Sequence, residues 1–459
     1  MIAAALLLAA QIADPQAAAP PPAPPMNPTQ EIAKETPEGP AIVAGATEIR
    51  IGGYLGVTGI YRSTNAGGGP STSFASIPYA DTLQGNLSEA RLSAQSSRLS
   101  IRVNAAPAPG RATLAGYFEM DFSGSTPGTV AVTSTSVGFR LRNAFGEGQF
   151  DNRFLVGVGQ AYTLMTAARD QLSIWPSDFE LTQAVDMNYV AGIVWGRVPQ
   201  VRFTYRPSRA FNWAVSVENP EQQIGNGLVR LPVCCADDLA AQYNTGSNEL
   251  SVPNLMPDFL SRVAFNAGTT FHLDAGGVLR VFRHTLPPYA ESTKQIGGGF
   301  SVNARVALAR RSAVIGQIAV GDGMGRYVGG LVPDVSVSAD GAIHPIRTTS
   351  WVAGFEQKLG DHASLALYDS GVVAAASYSV DTDGSYIGFG YPGAPNADNR
   401  RIHEVTGVFG WRAWAIANRG SLQWTTQLSW LERTPWPDTA GPSSANAVLL
   451  FTQLRYNLP

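Results

Sequence analysis

The chain of 459 residues is short of charge: Asp, Glu, Lys and Arg make up 15% of it, against about a quarter in ordinary soluble domains. It has only three lysines, Lys34, Lys294 and Lys358, and its 32 basic and 35 acidic side chains leave a net charge of −3. That balance offers no basic face and argues against nucleic acid as a partner. The two cysteines, Cys234 and Cys235, are adjacent. They cannot tie distant elements together and have no histidine close in sequence, so they read as loop thiols or a vicinal disulfide, with neither a disulfide framework nor a metal centre. Long apolar runs are missing from the interior, and a bundle of spanning helices needs about 18 consecutive apolar residues or more per helix. At 44% apolar and 9% aromatic residues, the chain is also too sticky to be disordered as a whole.

The first segment reads as an address. Ile2 to Ile12 is a nearly unbroken Ala/Leu/Ile run, followed by the small residues Ala17-Ala18-Ala19. This is the h-region and cleavage zone of a secretory signal, although no Lys or Arg precedes the run. Residues 1–19 are therefore expected to be a signal peptide. Residues 20–47, built around Pro20-Pro21-Pro22-Ala23-Pro24-Pro25, are expected to be a stiff Pro/Ala-rich periplasmic linker.

From Glu48 onward the dominant period is two. Leu99, Ile101 and Val103 alternate with Arg98, Arg102 and Asn104, and Leu422, Trp424, Leu428 and Trp430 with Gln423, Thr425, Gln427 and Ser429. The pattern predicts strands over 48–61, 97–106, 112–122, 136–145, 152–160, 197–206, 211–218 and 258–270. It continues over 276–285, 296–309, 312–322, 348–358, 363–370, 400–413, 421–433 and 446–456. A strand of about ten residues tilted near 45° crosses one bilayer core. The connections sort by parity. Long ones such as 62–96, 161–196, 219–257 and 371–399 alternate with short ones such as Pro107–Arg111, Arg310-Arg311 and Asn418-Arg419-Gly420. That is the mark of a transmembrane barrel with periplasmic turns on one rim and extracellular loops on the other. Unpaired strand edges cannot be satisfied in hydrocarbon, so the sheet must close. The expected fold is thus all-β, a transmembrane antiparallel β-barrel of about 16 strands over 48–459. Trp411, Trp414, Trp424, Trp430, Trp436, Tyr456 and Phe451 cluster near strand ends and are read as aromatic girdles.

If the apolar faces meet lipid, the opposite faces line the lumen. By phase these carry Arg98, Arg102, Arg140, Arg142, Arg202 and Arg206, with Glu119 and Asp121 on the third strand and Arg153, Arg262 and Arg305 less firmly phased. A simple register sets Glu119 opposite Arg140, which implies a cross-strand ion-pair network. Arg98, Arg102, Arg140 and Arg142 against Glu119 and Asp121 leave a surplus of two positive charges, and rings of arginine in a pore favour anions. The connection 161–196 is placed to fold inward. Ala161 to Leu172 is compatible with a short helix, and Tyr162, Arg169, Asp170, Asp178, Glu180 and Asp186 are candidates for a constriction. The five histidines are scattered and the glycine clusters lack a strand–helix phosphate context, so no catalytic, metal or cofactor constellation emerges.

Six stretches, Ser97–Ser100, Tyr117–Phe122, Phe139–Phe145, Val158–Thr163, Pro199–Thr204 and Val217–Pro220, resemble in sequence and order the DcaP-like outer-membrane porins. They cover the first half of the barrel; the second half matches only in pattern. The resemblance implies a sixteen-stranded homotrimeric porin in the outer-membrane lipid, passing small anions such as dicarboxylates, with Arg98, Arg140, Arg142 and Arg202 carried over as lumen or constriction residues. Two features depart from the family. Residues 17–47 have no heptads for a periplasmic coiled coil, and the chain ends Tyr456-Asn457-Leu458-Pro459 rather than on an aromatic. The competing expectation is a plugged barrel that binds partners through 219–257 and 371–399.

Overall fold

The computed structural model describes residues 41–459 except 68, 106–111, 126–134, 136, 152, 249–250, 417 and 438–440. The expected signal peptide, nearly all of the linker and the Pro107–Arg111 turn lie outside the described residues. The last linker positions do not: Ile42–Ala44 is a short strand paired with Thr47–Ile49.

Sixteen strands form one sheet. They are β1 (Thr47–Arg62), β2 (Glu89–Ser93 and Arg98–Ala105, interrupted between), β3 (Thr113–Asp121), β4 (Arg140–Phe150), β5 (Phe154–Tyr162), β6 (Arg197–Tyr205), β7 (Phe211–Glu218) and β8 (Asp258–Ala267). The remainder are β9 (Phe271–Thr285), β10 (Ser292–Ala309), β11 (Ser312–Asp322), β12 (Arg347–Leu359), β13 (Ala363–Ala374), β14 (Asn399–Ile416), β15 (Gly420–Pro435) and β16 (Ala445–Asn457). Each pairs antiparallel with the next, and β16 pairs with β1, Tyr54 opposite Asn457 and Arg62 opposite Leu449. The sheet is therefore a closed barrel with no free edge, as a lipid environment requires.

The alternation decides which side faces what. On β11, Ile318 is 52% exposed on the outside while its neighbour Gln317 is 9% exposed and points in. Phe259, Val263 and Phe265 of β8 are exposed, whereas Leu260, Arg262, Ala264 and Asn266 are buried. Outward aromatics gather at two levels. Trp411 sits opposite Trp424, with Trp414 and Tyr456 rings 6.0 Å apart, near the short turns. Trp351 and Trp430 flank His403 at 6.2 and 5.9 Å nearer the long loops. From His403 to Trp411 on β14 the strand advances about 26 Å at roughly 3.3 Å per residue. Tilted by about 35–45°, that is a rise of roughly 19–22 Å, most of the height of an apolar band of about 25 Å.

Two of the expected girdle aromatics belong elsewhere. Phe451 points inward, fully buried beneath the Arg62 guanidinium at 5.5 Å, because its parity is that of Gln453 rather than Tyr456. Trp436 lies beyond the end of β15, its ring against Gly390 in a loop. Several strands also run differently from expectation: Glu89–Ser93 adds a paired segment inside the expected connection 62–96, β10 starts at Ser292 and β13 runs on to Ala374. β4 continues to Phe150 because Gly146-Glu147-Gly148 pairs smoothly with Leu114–Gly116. β9 starts at Phe271 because inward His272 and Asp274 extend its alternation.

Candidate pore constriction

Connection 163–196, between β5 and β6, turns into the barrel and is fastened to the far wall by its own backbone. The Leu164 amide donates to Glu218 of β7 at 2.8 Å and the Ala168 amide to Asp274 of β9 at 3.2 Å. Further along, the Gln183 amide donates to the Tyr368 hydroxyl at 3.0 Å, the Val185 and Asp186 amides to Gln427 Oε1 at 2.6 and 2.9 Å, and the Ala191 amide to Glu404 at 2.7 Å. At Gly192, φ is +83° and an added Cβ would lie 2.0 Å from the Gly371 carbonyl oxygen, so only glycine lets the loop press against β13 here. Side chains of the wall thus satisfy amides that no local structure serves. This also explains why the helix expected over 161–172 is absent. Ala161 and Tyr162 finish β5, and the amides of Leu164, Met165 and Ala168 are taken by Glu218, Thr163 Oγ1 and Asp274 rather than by carbonyls one turn back.

Opposite the loop, the wall of β16, β1, β2 and β3 stays open. Between them lies a space of about 150 Å³, lined by Tyr54, Arg98, Glu119, Gln453 and Arg455 on the wall and by residues 181–187 and Tyr189 on the loop. This space is the candidate for the narrow passage of the lumen.

The expected lumen residues divide into groups. Arg98 and Glu119 line the constriction. Asp121 is fully buried between two arginines: Arg140 grips it with Nε at 3.0 Å and Nη2 at 2.7 Å, and Arg142 reaches it at 2.8 Å. Arg142 also donates to Glu119 at 2.5 Å and to the Tyr162 hydroxyl at 3.2 Å. Glu119 therefore pairs with Arg142, not with Arg140. A bulge at Glu119/Met120 shifts the register and sets Asp121 opposite Arg140 and Glu119 opposite Asn143.

Arg202 does not line the passage. It is buried, donating to the Ser173 and Tyr162 carbonyls at 2.6 Å each, and so braces the root of the loop. Arg262 and Arg305 are likewise committed, Arg262 to Asp274 and Arg305 to Glu180 and Glu356 at 3.2 Å. Arg102 lies over the Trp175 ring at 4.6 Å. Arg206 bears electrostatically on Asp170 and Asp178.

Of the constriction-loop candidates, Tyr162 borders the passage and shares a 2.5 Å hydroxyl contact with Tyr189. Arg169 and Asp178 do not reach it. Segment 167–180 folds back on itself through the Ala168–Phe179 bridge and the Arg169 amide to the Asp178 carbonyl at 2.9 Å, which carries both side chains toward β6–β10. Burial there pushes the Asp178 carboxyl up to about 6, with Arg206 pulling it back down. Arg169 and Asp170 instead line a wider space of about 750 Å³ near the short-turn rim, with His272, Arg305 and Lys358.

The sequence reading missed Tyr54, Gln453 and Arg455. Arg455 shares the parity of Gln453 and Phe451 on β16, and continuing that alternation to the chain end identifies it as inward. The adjacent cysteines are joined as a vicinal disulfide in loop 219–257. Among the described residues no group of three or more His, Cys, Asp or Glu is placed to hold a metal ion.

A closed sixteen-stranded barrel with an inward third long loop, polar lumen and paired aromatic levels defines the fold class of outer-membrane porins. The solved outer-membrane channel DcaP of Acinetobacter baumannii superposes with a TM-score of 0.64 at 15% identity, covering 91% of this chain and 99% of that one. An anion-selective porin from Comamonas acidovorans (TM-score 0.49, 12% identity, 90% and 100% covered) and Salmonella typhi OmpF (0.48, 9%, 91% and 100%) align less closely. No protein-family model matches the chain, and no curated protein does either. The DcaP-like fold inferred from six short stretches thus has its counterpart in three dimensions.

Proposed function

We propose that this protein is an outer-membrane porin through which small hydrophilic solutes diffuse passively, with anions such as dicarboxylates preferred. It is exported by its N-terminal segment and works as a homotrimer without catalysis or cofactor. The observation that carries this reading is the charge around the narrow passage. Arg98 and Arg455 line it with Glu119 and Asp186, and Arg140, Arg142 and Arg197 stand behind them with Asp121, five guanidiniums to three carboxyls over the two layers. Guanidinium stays charged at any working pH, and a surplus of two positive charges in a low-dielectric constriction raises the local concentration of anions. Permeation needs binding that is weak and repeated, which a series of partly neutralised arginines along the wall supplies. Arg102 and Arg206, nearer the short-turn rim, extend the positive field along the exit.

The test is reversal potential in a planar bilayer under a potassium chloride gradient. A channel reversing toward the chloride potential is expected. Absence of conductance in folded, heat-modifiable protein would favour a plugged barrel acting through its long loops. Light scattering in mild detergent is expected to give three chains per particle.

A further inference from the structure

Most inward arginines already have a use. Arg62 pairs with Glu89, Arg140 and Arg142 with Asp121, Arg262 with Asp274, Arg280 with Asp258 and Asp334, and Arg305 with Glu180 and Glu356. Arg202 and Arg433 spend their donors on loop carbonyls. Among the described residues, Arg98 and Arg455, which line the passage, have no carboxylate within ion-pair distance, and Glu119, which bears on Arg98 electrostatically, is already engaged by Arg142. Arg98 Nε is buried without any hydrogen-bond acceptor, and Arg455 directs Nε and Nη2 at one neutral oxygen, Gln423 Oε1, at 3.1 and 2.6 Å.

The two are held on either side of one ring. β1 lies between β2 and β16, with Tyr54 opposite Arg98 and the adjacent inward residue Gly56 opposite Arg455. Their guanidiniums stand 5.6 and 5.1 Å from the Tyr54 ring centroid. The glycine keeps the floor between them open, since a Cβ at position 56 would meet Arg455 Cβ at 3.1 Å. Across the passage, the one carboxylate on the lining segment of the loop, Asp186, is turned away. Both of its oxygens accept the Thr72 amide at 3.1 Å, and Oδ1 also accepts the Asn188 amide at 2.9 Å. Two half-buried guanidiniums that repel each other, neither with an ion-pair partner of its own, are costly to hold side by side.

Resting on the porin reading above, we infer that Arg455, together with Arg98, is the specificity-determining pair of the passage, a clamp around Tyr54 whose counter-charge, supplied in part by the already engaged Glu119, is completed by the permeating carboxylate. Each planar fork accepts a carboxylate bidentately. A solute with two carboxylates engages both at once, and one with a single carboxylate engages them in turn. Arg140 and Arg142, already neutralised, set the shape of the wall rather than its choice of ion.

The experiment compares wild type with Arg455→Gln, Arg98→Gln, Arg455→Lys and, as an outer-face control, Arg347→Gln. Each is checked for heat-modifiable mobility, then measured for reversal potential and for block of chloride current by succinate. Both glutamine variants are expected to shift the reversal potential toward the cation side and to weaken succinate block about tenfold, the effect of losing one charge-assisted contact. Arg455→Lys should keep the reversal potential but lose most of the block, because an ammonium lacks the fork. The control should match wild type. Unchanged selectivity and block in a folded Arg455→Gln, in an otherwise anion-selective protein, overturns the clamp and leaves the porin reading standing. If the glutamine variant does not fold, Arg455→Lys decides: undiminished block overturns the clamp. A wild type that does not conduct, or that prefers cations, overturns both.

Discussion

The main-chain amide of Ala191 donates to the Glu404 carboxylate at 2.7 Å, across the lumen from the strand on which the loop began. Glu404 is fully buried and also accepts from Thr406 Oγ1 at 2.8 Å. This single bond fixes the far end of the constriction loop to β14. Glu404→Gln keeps an acceptor oxygen and is expected to behave nearly as wild type. Glu404→Leu leaves a buried amide unserved, at a cost of about 1–3 kcal/mol, most of it local to the loop. Single-channel recordings of the leucine variant should show larger and noisier conductance; steady wild-type conductance would mean the remaining tethers hold the loop alone.

Gly192 adds a steric counterpart to that tether. Its backbone conformation disfavours any side chain, and its Cβ position is occupied by Gly371 of β13. Gly192→Ala must push the loop off the wall, toward Arg98 and Arg455. Overpacking of this kind costs about 1–3 kcal/mol, and the displaced loop should reduce conductance. The opposite change, a wider channel, would show that the loop yields in another direction.

The replacement of Arg142 should act on stability rather than selectivity. The side chain is 1% exposed and neutralised by Glu119 and Asp121. Arg142→Ala strands part of that negative charge in the wall, a loss of roughly 3–5 kcal/mol for a broken buried pair. The unfolding temperature in detergent should fall well below that of Arg98→Gln, while the reversal potential moves less. A variant with wild-type thermal stability and lost anion preference would reverse the two roles.

Much of this was written in the chain, for identifiable reasons. Period-two alternation marks a wall with two unlike solvents, so all sixteen strands and the parity of their connections were legible before any coordinates. What the phase cannot give is the partner of an inward charge. Glu119 was matched to Arg140 because a bulge moves the register, and bulges leave little trace in the residue pattern. Arg202 has inward phase, but its bracing role is not legible in the sequence, because its acceptors, the Tyr162 and Ser173 carbonyls, belong to the end of β5 and to a loop whose path depends on tertiary bonds. Arg455 stands beside outward Tyr456 near the chain end, and its inward parity is legible only when the alternation of Phe451 and Gln453 is carried to the end of β16.

The extracellular mouth should respond to pH through Asp398. This residue closes the loop before β14, is 1% exposed, accepts the Gly390 amide at 2.8 Å and leaves Oδ1 without a partner. The cations nearby do not serve it. Arg433 gives its donors to the Ile77 and Asn396 carbonyls at 2.5 and 2.7 Å and lies over the Tyr79 ring at 4.1 Å, clasping loop 63–88 to loop 375–398. Burial raises the Asp398 carboxyl from 3.8 to about 7. A raised folded value means that the native loop binds the proton more tightly than the open one. Its contribution, roughly 2–4 kcal/mol, is therefore complete below about pH 4 and is lost as pH rises through about 7. Amide exchange across residues 386–399 should be slow at pH 5 and, after correction for intrinsic rates, distinctly faster at pH 8. Asp398→Asn, which keeps an acceptor for Gly390 and cannot ionise, should hold the loop equally well at both. Equal protection of the wild-type loop at the two pH values would show that water reaches the carboxylate and removes the dependence.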